Sequence, residues 1–277
     1  MKKTAALLTA LFCVSLAGCS VLKGVPAEGI SSRQTRLTMT GSTAMTTLCQ
    51  TLGESFSKKY PEITVEKNGA GSGEAPGAVR SGMADLGDIS RPLTGSEHPE
   101  EFTVVPVAAD VIVIAVHRDN PVTSLSLKEL KEIFSGKIEN WAELGGEDRP
   151  VTCVGRESAS GTRDCLERKL GISSGKYDCE FSSTGEVVTR VGSDPCAVGY
   201  CSIASLNPSV RPVALDGVVP SLESAAKGEY PLVMELIQIY RKGDQSELLE
   251  RWFSFVRSPE GQELILRCGL LPRTEAA

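Results

Sequence analysis

Three short stretches of this sequence join small hydroxyl residues to glycine at the end of an apolar run: Thr40-Gly41-Ser42-Thr43-Ala44, Gly71-Ser72-Gly73 and Arg156-Glu157-Ser158-Ala159-Ser160-Gly161-Thr162-Arg163. Each leads into helical periodicity, so each offers a helix N-terminus with free backbone N–H groups and about half a positive charge. Serine and threonine add hydroxyl donors, and glycine lets the backbone come close, which is the chemistry of an anion site. Arg156 adds a planar guanidinium that can grip an oxyanion through two parallel hydrogen bonds, as a lysine cannot. Any one segment alone is equally a turn or a helix cap. Their co-occurrence points to a shared ligand. Arg163, on the same helix start as Gly161, reads either as a second cation or as a solvated surface charge.

Catalysis is disfavoured by the same residues. Ser72 or Ser160 would need a base to act as a nucleophile, and the sequence holds only His98, in a polar loop, and His117, ending an apolar run. No Gly-Lys-Ser/Thr follows either glycine-rich loop, which argues against nucleotide hydrolysis. No C-x-x-C or Cys/His pair has zinc spacing. A binding protein is expected, not an enzyme, with no cofactor and no metal.

The segments that position these residues alternate between strand-like and helical patterns, as in an α/β protein with largely parallel sheets. After a strand over Leu37–Thr40, Met45, Leu48, Cys49, Leu52 and Phe56 recur at helical spacing up to Pro61, with Ser42 or Thr43 as the natural N-cap. Further strands are expected over Ile63–Glu66 and Ala84–Ile89. The run Val104–Val116 is too apolar for a surface strand and suits one buried on both faces. Ser126-Leu127-Lys128-Glu129 reads as a capping box opening a helix that Gly136 ends. The chain returns through the extended stretch Tyr230–Tyr240 and finishes with two helices, the last opened by Ser258-Pro259 and capped by Gly269. Two crossings divide the chain into residues 36–112 with 233–277 as one lobe and 113–232 as a second, with a cleft between lobes joined by a two-stranded hinge.

At the N-terminus, Lys2 and Lys3 precede the apolar run Ala5–Ala17, too short to span a bilayer, and Leu16-Ala17-Gly18-Cys19 resembles a lipobox. Residues 1–18 are therefore expected to be a lipoprotein signal, Cys19 the lipidated residue, and 19–35 a tether. That places the chain outside the cytoplasm, anchored by lipid to a bacterial cell membrane. The formal charge of the whole chain is −6, and without Lys2 and Lys3 it is −8, which disfavours nucleic acid as a partner. An anion must then be held by local donors. Beyond Cys13 and Cys19, seven cysteines remain, an odd number that leaves at least one thiol unpaired within the chain.

The three anion motifs belong to a longer series: Ala84-Asp85-Leu86-Gly87 into Ser90-Arg91-Pro92-Leu93, Ile133-Phe134-Ser135-Gly136-Lys137, Asn140-Trp141, Gly199-Tyr200, Tyr230-Pro231-Leu232 and Ser258-Pro259-Glu260-Gly261-Gln262. In this order, and over nearly the whole chain beyond Cys19, the series resembles the periplasmic phosphate-binding proteins of bacterial phosphate importers. The resemblance implies a type II periplasmic-binding fold, with phosphate desolvated between lobes and held by Thr43, the Ala44 backbone, Ser72, Arg156, Ser160, Gly161 and Thr162, with Ser42, Ser90 and Arg91 added. It also implies a monomer that delivers phosphate to the membrane permease of an ABC transporter.

The sequence departs from that family at two places. Ser90 stands where well-studied members have the aspartate that accepts the phosphate proton, which weakens the usual ground for rejecting sulfate. Glu74 and Asp88 are the candidate carboxylates for that role. Ser158 stands where some members have an acidic partner for the arginine, with Glu157 as substitute. Sulfate, molybdate or tungstate remain alternative ligands, and a sensor or adhesion lipoprotein an alternative role.

Overall fold

The computed structural model describes residues 35–273, so the expected signal, Cys19 and all of the tether but Thr35 lie outside the described residues. The described chain opens with β1 (Arg36–Gly41), which buries Leu37 and Met39. A 3₁₀ turn then feeds α1 (Thr46–Lys59), whose buried face is Leu48, Cys49, Leu52, Gly53 and Phe56. The helix ends at Lys59 with Tyr60 as its C-cap, just before Pro61, which cannot continue it. β2 (Thr64–Gly69), α2 (Ala75–Ser81), β3 (Leu86–Ile89) and the 16-residue β4 (Phe102–His117) follow. From Val107 to Val116 every residue of β4 is buried, as its apolar run predicts, but Val104 at the start of that run is exposed and Pro106 only half-buried.

Next come β5 (Ser124–Leu125), α3 (Leu127–Phe134), β6 (Thr152–Arg156), α4 (Gly161–Leu170), β7 (Cys179–Phe181), α5 (Thr184–Ser193) and β8 (Ala197–Ser202). The expected capping box opens α3: Ser126 Oγ accepts from Glu129 N–H at 3.1 Å and Glu129 Oε2 from Ser126 N–H at 2.7 Å. β9 (Val210–Pro212), β10 (Ala214–Leu215), α6 (Leu222–Ala226), β11 (Val233–Arg241), α7 (Glu247–Arg257), α8 (Pro259–Arg267) and β12 (Leu271–Pro272) complete the chain.

The strands run in the order β2-β1-β3-β11-β4-β8-β6-β7, with β9 and β12 also on β4. β2, β1 and β3 are mutually parallel, as are β8, β6 and β7. The long strands β11 and β4 join the two trios through antiparallel pairing, so the sheet is mixed where a largely parallel one was expected. β4 pairs with β11 as far as Val111↔Val233, then with β8 from Ile112↔Ser202. This one strand therefore serves both trios. Parallel strands bring their C-terminal ends, and the loops that follow, to one side of each trio.

Candidate anion-binding site

Ser42, Ser72 and Ser90 follow the C-terminal ends of β1, β2 and β3, and those parallel strands bring them together. Ser42 does not cap the turn after β1 with its side chain, contrary to the sequence expectation. Its Oγ donates instead to Ser90 Oγ at 3.1 Å. Ser72 Oγ lies 3.2 Å from Ser90 Oγ and accepts from Ser90 N–H at 3.1 Å. All three residues are buried, and beside them Thr43 Oγ1 is buried with no hydrogen-bond partner. Gly41 makes the approach possible. At φ +126° its backbone turns against β3 so that Ser42 N–H reaches the Asp88 carbonyl at 2.7 Å, where a Cβ would overlap that carbonyl.

The third segment meets this cluster directly. Ser160 is the N-cap of α4, its Oγ accepting from Arg163 N–H at 3.3 Å, so Gly161 and Thr162 begin the helix with unpaired N–H groups. A Cβ on Gly161 would overlap both Ser72 Oγ and Ser90 Oγ, so glycine lets the positive end of α4 press onto the hydroxyls. Gly73 N–H bonds to the Ala159 carbonyl at 3.1 Å. Thr162 is buried and Ala44 half-buried. Hydroxyls, a helix N-terminus and no facing negative charge within the serine cluster make an arrangement chemically suited to an oxyanion held by hydrogen bonds alone.

Arg156 ends β6, fully buried, but a free two-toothed grip is not what it offers. Its Nε and Nη2 pair with the two Glu157 carboxylate oxygens at 3.0 and 2.8 Å. Nε also donates to the Phe181 carbonyl, Nη2 to that of Ser182, and Nη1 to Thr184 Oγ1 at 3.0 Å. Of five guanidinium N–H groups, one on Nη1 is left for a ligand. Glu157 is thus the acidic partner of the arginine, in the place considered for Ser158. Thr184, which no sequence signal marked, and Tyr200 of the Gly199-Tyr200 motif, whose hydroxyl accepts Arg156 N–H at 3.0 Å, support it.

Other expected residues are engaged elsewhere. Arg91 is buried, but Glu97 grips its Nη1 and Nη2 at 2.8 and 2.6 Å, so its fork does not join the serine cluster as its place beside Ser90 suggested. Arg163 is no solvated charge. It lies over the Tyr177 ring at 4.6 Å and donates to the Arg156 carbonyl at 2.7 Å and Glu180 at 2.9 Å. Asp88 is buried against Lys67 at 2.9 Å and Gln238 at 2.9 Å, so that cation and amide hold its carboxylate. Glu74 is exposed. His98 contacts Glu100, and His117 Nδ1 accepts from Asp119 N–H, so each imidazole is engaged within two residues of itself. The seven described cysteines are all free thiols.

Known proteins are similar to this chain over most of its length. Residues 26–260 match the family model of the PBP superfamily domain. The chain is 31% identical to the phosphate-binding protein PstS of Bacillus subtilis, over 90% of this chain and 84% of that protein, and 30% identical to PstS of Pseudomonas aeruginosa over 89% and 84%. It superposes with a TM-score of 0.83 on a phosphate ABC transporter substrate-binding protein from Clostridium perfringens solved with bound phosphate, at 30% identity, covering 86% of this chain and 99% of that one. An ABC-type phosphate transport receptor from Vibrio cholerae matches with a TM-score of 0.73 at 29% identity, over 86% and 100%. The chain belongs to the PBP superfamily and, within it, to the PstS-type phosphate-binding proteins.

Proposed function

We propose that this protein captures inorganic phosphate outside the cytoplasm and delivers it to the permease of an ABC importer without doing chemistry on it. In this reading residues 36–112 with 233–277 form one lobe and 113–232 the other, with β4 and β11 as the hinge. Ser42, Thr43, the Ala44 backbone, Ser72 and Ser90 hold the anion from the first lobe. Arg156, Ser160, Gly161 and Thr162 hold it from the second, and Cys19 carries a membrane lipid.

The observation that carries the reading is the contact of Gly161, at the positive end of α4, with a buried trio of serine hydroxyls beside the unpartnered Thr43 Oγ1. Buried hydroxyls without full partners are uncommon unless a ligand takes them. Phosphate fits, because it accepts many hydrogen bonds and its low-dielectric site strengthens each one. Sulfate is the second reading, since Asp88 is matched by Lys67 and Ser90 brings no charge to oppose it. Calorimetric titration of the purified protein with phosphate, sulfate and molybdate tests both. One phosphate bound per chain, with far weaker sulfate, supports phosphate; the reverse order assigns the site to sulfate.

A further inference from the structure

Arg91 follows Ser90 directly, yet its fork is turned by Glu97. Glu97 is itself fixed, because Thr94 N–H and Oγ1 donate to its Oε2 at 2.7 and 2.9 Å and close a capping box. Burial pushes the Glu97 carboxyl up, but the hydrogen bonds from Arg91 and Thr94 outweigh it and hold the group below the usual carboxylate range. Both partners are therefore charged at neutral pH, and Arg91 is raised further by Glu97. The guanidinium plane is locked, with its Nε edge 3.6 Å from Asp164 Oδ2.

Asp164 lies in the first turn of α4, the helix that starts at Gly161, and also pairs with Arg168 one turn on. Beside the Arg91–Asp164 contact lies a cavity of about 400 Å³ between Arg91, the α4 residues Cys165 and Lys169, and Met234 of β11. Side-chain packing does not fill the space next to the ion pair.

We propose that Arg91 and Asp164 form a latch between the two lobes, a positioning pair that prolongs anion residence without touching the anion. This inference rests on the two-lobe phosphate reading above. A pair at 3.6 Å exists only when the lobes are together, so it stabilises the closed state and slows opening, leaving encounter unchanged. Asp164 is 40% exposed, so solvent screens the pair and its effect is about two- to fivefold. Salt weakens it further.

Stopped-flow phosphate kinetics on wild type, Arg91→Gln, Asp164→Asn and the double variant form a mutant cycle that isolates the pair. Each single substitution is expected to raise koff two- to fivefold with kon unchanged, and the double variant to dissociate no faster than the faster single. The difference between wild type and Asp164→Asn narrows at high salt. Arg168→Gln, which breaks only the other contact of Asp164, leaves koff as in wild type, and thermal melts confirm that each variant is folded. Unchanged koff in Asp164→Asn, multiplying effects in the double variant, or an Arg168→Gln that mimics Asp164→Asn overturns the latch. A wild-type protein that binds no phosphate instead overturns the phosphate reading. The latch is then read from ligand-free small-angle scattering, where Asp164→Asn must enlarge the particle and an unchanged particle rejects it.

Discussion

Arg156 and Arg163 lie seven residues apart and divide one task. Arg156 keeps one N–H beyond its protein contacts, while Arg163 has its fork on the Arg156 carbonyl, Glu167 and Glu180 and its face on Tyr177. Lysine at either place supplies charge without the fork. Arg156→Lys is expected to weaken phosphate binding tenfold or more with a modest change in melting temperature. Arg163→Lys should instead lower stability by about 1–3 kcal/mol, the range for breaking a buried hydrogen-bonded charge, and weaken binding less. Calorimetry and thermal melts on the two variants check the split; an Arg163→Lys protein as stable as wild type would show that its contacts carry no weight. The residue types in the three motifs announced a polar site. The direction of each arginine was not legible, because Glu97, Glu157 and Glu180 decide it, and two of these lie in other segments.

At the scale of elements, capping signals and apolar runs read well. Ser126 and Glu129 opened α3 as expected, and β4 is buried from Val107 to Val116 as its sequence demands, though not at Val104. Ser42 misled because its hydroxyl had a choice between a cap and a neighbouring serine, and tertiary contact won. One residue of β4 breaks its own pattern. Asp110 is wholly buried, one position before the last pair with β11, and neither carboxylate oxygen has a partner in hydrogen-bond geometry. Burial pushes its carboxyl up to about 7, against the weaker pull of Ser202 and the N–H groups of Val111 and Ile203. The thiols facing it, Cys165 of α4 and Cys201 of β8, are raised to about 11 and about 12 by burial, so no neighbouring charge compensates. Because the folded value lies above the unfolded one, stability is fullest near pH 4 and falls as pH rises towards 7. Asp110→Asn cannot ionise. Its melting temperature should exceed that of wild type at pH 8, by on the order of 2–4 kcal/mol in stability, and match it near pH 4. Parallel wild-type and variant curves across that range would remove Asp110 as the cause.

For the whole molecule, the pattern of alternating strands and helices predicted two parallel units and two long crossing strands. β4 exchanges β11 for β8 between Val111 and Ile112, a point that the apolar run does not mark in the sequence. The antiparallel pairing at the centre was not legible either, since an apolar strand buried on both faces reads alike in either direction. Few continuous strands connect the trios, while serines of the first and the start of α4 in the second donate into one small space. An anion bound there interacts with both sets of donors only when they are close, so binding must favour the compact arrangement by its difference in affinity between the two states. Saturating phosphate is therefore expected to reduce the radius of gyration in small-angle scattering with a stoichiometry of one per chain. Serine-to-alanine substitution at Ser72 should reduce affinity and raise the phosphate concentration needed for compaction in proportion. Binding with full affinity and no compaction would mean that the trios already sit together without ligand, and that β4 and β11 act as a rigid spine and not as a hinge.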